Sequence, residues 1–213
     1  MFWVLQFLIS IAIIIFIPNT ILRTLILLVL WHITFNYKNK LTKRDYQFFG
    51  LFSLIFTLSN YGALKNLVFQ FTHQDILLMP YNEIFMWGFY CLNSYKLIGK
   101  IDVRNKLKIP VIALTVLFAI SFSAIKSEIL LTLVGLVILM LALILLHNER
   151  KTYYFIFYFA FMGLVVEIYG VHLNFWVYPN TSYFNWPLWG PLMWMNIGWI
   201  MSQMSSFFYE NSN

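Results

Sequence analysis

The run Leu130–Leu146, "LLTLVGLVILMLALILL", decides the fold class. It carries no charge, and as a helix rising ~1.5 Å per residue it approaches the ~30 Å hydrocarbon core of a bilayer. Val4–Ile17, "VLQFLISIAIIIFI", is of the same kind. Of the 213 residues, 61% are hydrophobic and 10% charged, against ~25% charged in an ordinary soluble domain. That composition excludes a normal water-soluble globule. The alternating pattern of an outer-membrane barrel is absent. No short hydrophobic segment ends in a small-residue cleavage site, so the first run reads as a retained membrane helix.

Outward from these runs, eight hydrophobic segments emerge: about 2–17, 20–35, 46–67, 75–97, 108–124, 128–147, 152–174 and 186–208. The expected fold is all-α, a polytopic transmembrane bundle in one integral membrane domain. Pro18-Asn19 reads as a tight turn between the first two segments. The alternative is one long kinked helix, which leaves seven spans and moves the amino terminus across the membrane. Arg23, near that turn, is placed to snorkel to the interface. "NYKNKLTKRD", "GKIDVRNKLK" and "HNERKT" hold the Lys and Arg residues, whereas the intervening "FQFTHQD", "IKSE" and "NFWVYPNTSYFNW" carry one Lys between them. Positive loops mark the cytoplasmic side. Eight spans then put both termini in the cytoplasm, and the expected location is a bacterial inner (plasma) membrane. The formal charge of +6 is a matter of topology and does not point to nucleic acid.

Several single features have plain readings. Cys91 is the one cysteine and reads as a small buried hydrophobe. Phe175, Trp176, Tyr178, Tyr183, Phe184 and Trp186 suit a membrane interface. Asn180-Thr181-Ser182 fits a glycosylation sequon that matters only in a eukaryotic secretory pathway. A shift of 107 residues lays Lys43-Arg44 on Arg150-Lys151, Pro80 on Pro187 and Met86-Trp87 on Met193-Trp194. This suggests two parallel four-helix repeats, 1–106 and 107–213.

Helical spacing sorts the segments. Ser53, Thr57 and Asn60 share one face of the third; Glu83, Trp87, Tyr90 and Ser94 share one of the fourth. Ala160, Gly163, Glu167, Gly170 and Asn174 share a face of the seventh, and Asn196 and Gln203 lie seven apart in the eighth. Polar faces turn away from lipid, so these four segments are expected to form an inner bundle. Glu83 lies about seven residues inside its segment and Glu167 about seven before the end of its own, each ~10 Å below the outer interface. His73 and Asp75 lie above Glu83; His172 and Asn174 lie above Glu167. The expected acids are Glu83 and Glu167, with Asn60, Trp87, Tyr90, His172, Asn174 and Trp194 around a hydrophobic small molecule. Taken singly, His172 reads more simply as an interface histidine, and Trp87 and Trp194 as packing.

A carboxyl buried in an apolar site keeps its proton at neutral pH and is a general acid. One reaction needs only such a group and aromatic walls: protonation of an isoprenoid double bond or epoxide, the cation being stabilised by ring faces. No phosphate-binding loop, His/Asp cluster or Asp-rich diphosphate motif is present, so no metal or other cofactor is expected.

"MPYNEIFMWGFY" resembles the Pro-x-Glu-Glu tract of the small membrane lycopene cyclases. "EIYGVHLNFWVY" is similar to their acidic-residue, Gly, Trp-x-Tyr pattern, with Glu167, Gly170, Trp176 and Tyr178 in the matching places. The stretch running on through "NWPLWGPLMW" also resembles the carotenoid hydratases, and the Met-Pro-led helix with a carboxyl beside Trp resembles the membrane meroterpenoid cyclases. The resemblance covers about 60 residues in two patches, and it implies Glu83 and Glu167 as the acid pair of a cyclase or hydratase. The chain departs from the cyclase tract in having Asn82 where a second acid stands, and its loop lacks the glycines of the hydratases. Two other functions suit the same parts: a small proton-coupled transporter, which requires a helix break such as Pro187/Pro191, and a non-catalytic multipass subunit whose polar faces only join helices.

Overall fold

A computed structural model describes residues 1–101, 108–147, 149–181 and 186–209. Arg104, Lys106, Ser182 of the sequon, Tyr183 and Phe184 lie outside them. The described residues form eight helices: α1 (Phe2–Phe16), α2 (Thr20–Lys38), α3 (Lys43–Lys65), α4 (Tyr81–Ile98), α5 (Lys108–Ala124), α6 (Glu128–Leu145), α7 (Arg150–His172) and α8 (Trp189–Tyr209). Among these, α2, α6 and α7 are long and apolar enough to cross a membrane, and α1 and α5 are shorter apolar helices. In α3, α4 and α8 the hydropathy is diluted by polar residues that are buried, among them Asn60, Asn93, Asn196 and Gln203.

α1 and α2 are separate helices. A residue before proline is pushed out of the helical region, and Ile17 is extended. Asn19 then caps α2 by accepting from Leu22 N at 2.9 Å. Arg23 does not snorkel outward. It is 6% exposed, because the corner turns it under the first turn of α4.

α3, α4, α7 and α8 occupy the centre. α1 and α2 pack on each other and on α4, and α5 and α6 pack on each other and on α8. The set of pairings among α1–α4 therefore recurs among α5–α8. Moving α3 (Lys43–Lys65) by 107 residues gives the bounds of α7 (Arg150–His172). Each of these two helices ends in the same motif. Leu67 and Asn174, also 107 apart, adopt φ of 60° and 57°, and the next amide reaches back, Val68 N to Ala63 O at 3.0 Å and Phe175 N to Gly170 O at 2.7 Å. This is the left-handed helix stop that favours Gly or Asn.

Both stops feed two-residue strands, β1 (Gln70–Phe71) and β2 (Trp176–Val177), which pair antiparallel with Gln70 opposite Val177 and Phe71 opposite Trp176. All-α thus needs one amendment, a short ribbon capping one end of the bundle. Lys43 and Arg150, which begin α3 and α7, lie at the other end.

One further expectation is corrected. α4 begins at Tyr81, not near residue 75, because Asp75–Pro80 folds as a turn in which Leu77 and Leu78 take positive φ and Asp75 Oδ2 accepts from Tyr81 N at 3.1 Å. Glu83 therefore sits in the first turn of its helix. The end of the bundle away from the ribbon holds buried polar contacts. Lys96 pairs with buried Asp45 at 2.9 Å, Tyr209 donates to Asp45 at 2.7 Å, and Ser202 and Gln203 both reach Thr152 at 3.2 Å. Cys91 is wholly buried.

Candidate acid pocket

Glu83 and Glu167 line one pocket just below the ribbon, with a cavity volume of about 40 Å³. That is room for about three waters. Its walls are Asn60 of α3, Trp87 and Tyr90 of α4, Phe122 of α5, Val166 and Tyr169 of α7, Trp189, Met193 and Trp194 of α8, and Phe69, Phe71, Trp176 and Tyr178 around the ribbon.

The two carboxyls are held differently. Glu167 accepts three hydrogen bonds: Tyr178 Oη at 2.6 Å and Trp176 Nε1 at 3.2 Å on Oε2, and Trp194 Nε1 at 3.3 Å on Oε1. Indole N–H groups can only donate, so Glu167 is an acceptor in those bonds. Glu83 accepts from Asn60 Nδ2 at 3.3 Å. The Trp87 indole lies beside it, with its buried N–H outside hydrogen-bond geometry to any described acceptor.

Aromatic rings are the dominant surface. Trp87 and Trp194 stack with centroids 5.2 Å apart and planes 24° apart. Tyr90 sets its edge against both, at 5.7 and 5.8 Å. Phe56 covers the far face of Trp87 at 4.7 Å. The glycines of α7 make room for this. A Cβ on Gly163 would overlap the Trp194 ring, and one on Gly170 would overlap Trp176.

The pocket adjoins two larger spaces. Through Asn60, Trp87, Phe122 and Met193 it shares walls with an apolar cavity of about 310 Å³ between α3, α5 and α8, lined among others by Ile55, Phe118, Ile200 and Phe207. Through Glu83, Phe71, Tyr169 and Trp176 it shares walls with a cavity of about 340 Å³ at the ribbon end, where Arg23, Thr72, His73, Asn82 and Asn174 supply polar groups.

Of the residues singled out in the sequence, Glu83, Glu167, Asn60, Trp87, Tyr90 and Trp194 come together. His172 is exposed and lines none of these three cavities, because it falls at the end of α7 beyond the ribbon. Asn174 misses the acid pocket; its left-handed backbone ends α7, and its carbonyl accepts from Thr72 Oγ1 at 2.7 Å. His73 pairs with Asp75 at 3.0 Å on the rim. Trp176 and Tyr178 do not serve as interface aromatics: both are buried. Tyr169 and Phe71 were not anticipated in the acid pocket, nor Arg23 in the cavity beside it. Tyr169 is two residues from Glu167, off the helical spacing used to define the face, and Phe71 and Arg23 arrive only through the ribbon and the α1–α2 corner.

The chain matches no protein-family model, no curated protein and no solved structure.

Proposed function

We propose that this protein is an integral membrane enzyme that modifies an isoprenoid lipid by carboxyl-catalysed protonation, as a cyclase or hydratase. The observation that carries this is the shared pocket: two acids from different helices face one aromatic-walled space that shares walls with an apolar cavity. The membrane reading is supported by three helices of spanning length and composition and by large aliphatic residues on outward faces, such as Leu25 and Val29 of α2 and Leu133, Val137 and Ile144 of α6. In this reading all eight helices cross, both termini are cytoplasmic, and the halves are parallel repeats about an axis passing near Trp87 and Trp194.

The two acids take different roles. Glu83 accepts from Asn60 alone, where Glu167 accepts from three donors, and it borders the polar ribbon-end cavity, so it is the proton donor. Its O–H bond breaks as a C–H bond forms at the less substituted carbon of a trisubstituted double bond, leaving a tertiary cation. The aromatic walls of the pocket stabilise that cation by about 0.5–2 kcal/mol for each ring face it meets. Glu167, held by Tyr178, Trp176 and Trp194, is the second carboxyl of the pocket, and its oxygens face the cation as electrostatic acceptors. A second double bond of the chain attacks the cation and a proton returns to Glu83, or water attacks and gives up its proton there. Either outcome is redox-neutral.

The test is expression in a host that accumulates linear carotenoids and other prenyl lipids, with extracts compared by mass spectrometry. The native chain should yield a product isomeric with its precursor or heavier by one water, and Glu83→Gln and Glu167→Gln should each abolish it. Unchanged prenyl lipids, or full conversion by both variants, would overturn the reading. A carrier is disfavoured by the helices themselves: Pro187 precedes α8 and Pro191 lies in its first turn, so neither breaks a helix at mid-membrane.

A further inference from the structure

Arg23 lines the ribbon-end cavity while being 6% exposed. A buried cation is costly unless it is paired, yet the ion pairs among the described residues are His73–Asp75 and Lys96–Asp45. Asp75 and Glu83 act on Arg23 only at longer range, and Asp75 is engaged by Tyr81 N and His73. The guanidinium is oriented: Nε donates to Asn82 Oδ1 at 2.9 Å and Nη1 to Ile14 O at 3.2 Å. A guanidinium has five N–H donors in a planar fork suited to carboxylate or phosphate, so part of this fork is left for a ligand. Thr20, Thr72 and Asn174 add polar groups to the same cavity.

We infer that this cavity is the headgroup subsite for an anionic amphiphile. Its carboxylate or phosphate sits on Arg23, and its prenyl chain passes Glu83 and Glu167 toward the apolar cavity. This rests on the proposed function only for the identity of the chain. The order of the three spaces carries a consequence. Because Glu83 is a wall common to the headgroup cavity and the acid pocket, the bond presented to the acids is the one nearest the headgroup.

The test is binding in detergent, followed by tryptophan fluorescence, with geranylgeranoic acid, geranylgeranyl monophosphate, geranylgeraniol and inorganic phosphate as probes. Either prenyl anion should bind at least tenfold tighter than the alcohol. Arg23→Gln should erase that preference and Arg23→Lys should keep part of it. Equal binding of acid and alcohol, or a preference surviving in Arg23→Gln, would overturn the inference. So would inorganic phosphate binding as tightly as the prenyl phosphate, since the site would then serve a free anion. Should Arg23→Gln fail to fold, a prenyl acid carrying a diazirine beside its carboxylate should label the native chain at Thr20–Leu25 or Phe71–His73, and labelling elsewhere would overturn it. Glu83→Gln should retain the anion preference. If that preference holds while no prenyl lipid is converted, the enzymatic reading fails and the headgroup subsite stands.

Discussion

Substituting Gly163 by Ala adds one methyl group at the most crowded point of the acid pocket. The new Cβ would overlap Cγ, Cδ1 and Cδ2 of Trp194, and that ring has no free direction. Trp87 covers one face at 5.2 Å, Tyr90 abuts it at 5.8 Å, and its N–H is tied to Glu167 at 3.3 Å. Forcing a methyl into a filled core costs about 1–3 kcal/mol. Moving the ring also forfeits an aromatic pair of about 0.5–1.5 kcal/mol and a hydrogen bond to a carboxyl of about 1.5–3 kcal/mol. Better helix propensity returns about 1 kcal/mol, leaving a net loss of about 4 kcal/mol. Gly50 of α3 is the internal control: it is exposed and its Cβ would meet nothing within 4 Å, so Gly50→Ala should stabilise by about 1 kcal/mol. Equilibrium unfolding in detergent by titration with sodium dodecyl sulfate measures both. If Gly163→Ala shifts stability by less than 1 kcal/mol, or moves with Gly50→Ala, the packing around Trp194 is wrong.

Three further predictions use other contacts. A double-mutant cycle of Tyr178→Phe with Glu167→Leu should give a coupling of about 1.5–3 kcal/mol, since the 2.6 Å bond is removed by either change; additivity would mean the two groups do not meet. Lys96→Met leaves buried Asp45 without its cation and should destabilise by about 3 kcal/mol, with faster amide exchange at the end of α8, which Tyr209 clips to Asp45. Burial pushes the Asp75 carboxyl up, but bonds from Thr20, the Tyr81 amide and His73 outweigh it and hold the group below the usual carboxylate range. A depressed carboxyl stabilises above its unfolded value of about 3.9 and loses that contribution as pH falls through the folded value. Amide exchange over residues 72–81 should therefore quicken below about pH 4 in the native chain; a rate that changes equally in Asp75→Asn would rule out this carboxyl as the cause.

Much of the architecture was legible because hydrophobic runs and turn residues are local signals. The eight segments, the break at Pro18-Asn19 and the four helices carrying polar faces all follow from composition and from the 3.6-residue period. So does the grouping of Asn60, Trp87, Tyr90, Glu83 and Glu167, since an unpartnered polar face cannot stand in lipid.

What only the tertiary structure decided depends on chain that leaves the helical period. The left-handed stops at Leu67 and Asn174 reverse the backbone into a ribbon, and the ribbon carries Trp176 and Tyr178 back onto Glu167 and leaves His172 outside. The Asp75–Pro80 turn moves Glu83 to a helix start. The α1–α2 corner folds Arg23 into a cavity instead of toward the surface. Periodicity assigns a residue to a face of its own helix, whereas these placements arise where two distant loops meet, and only the packed chain brings them together.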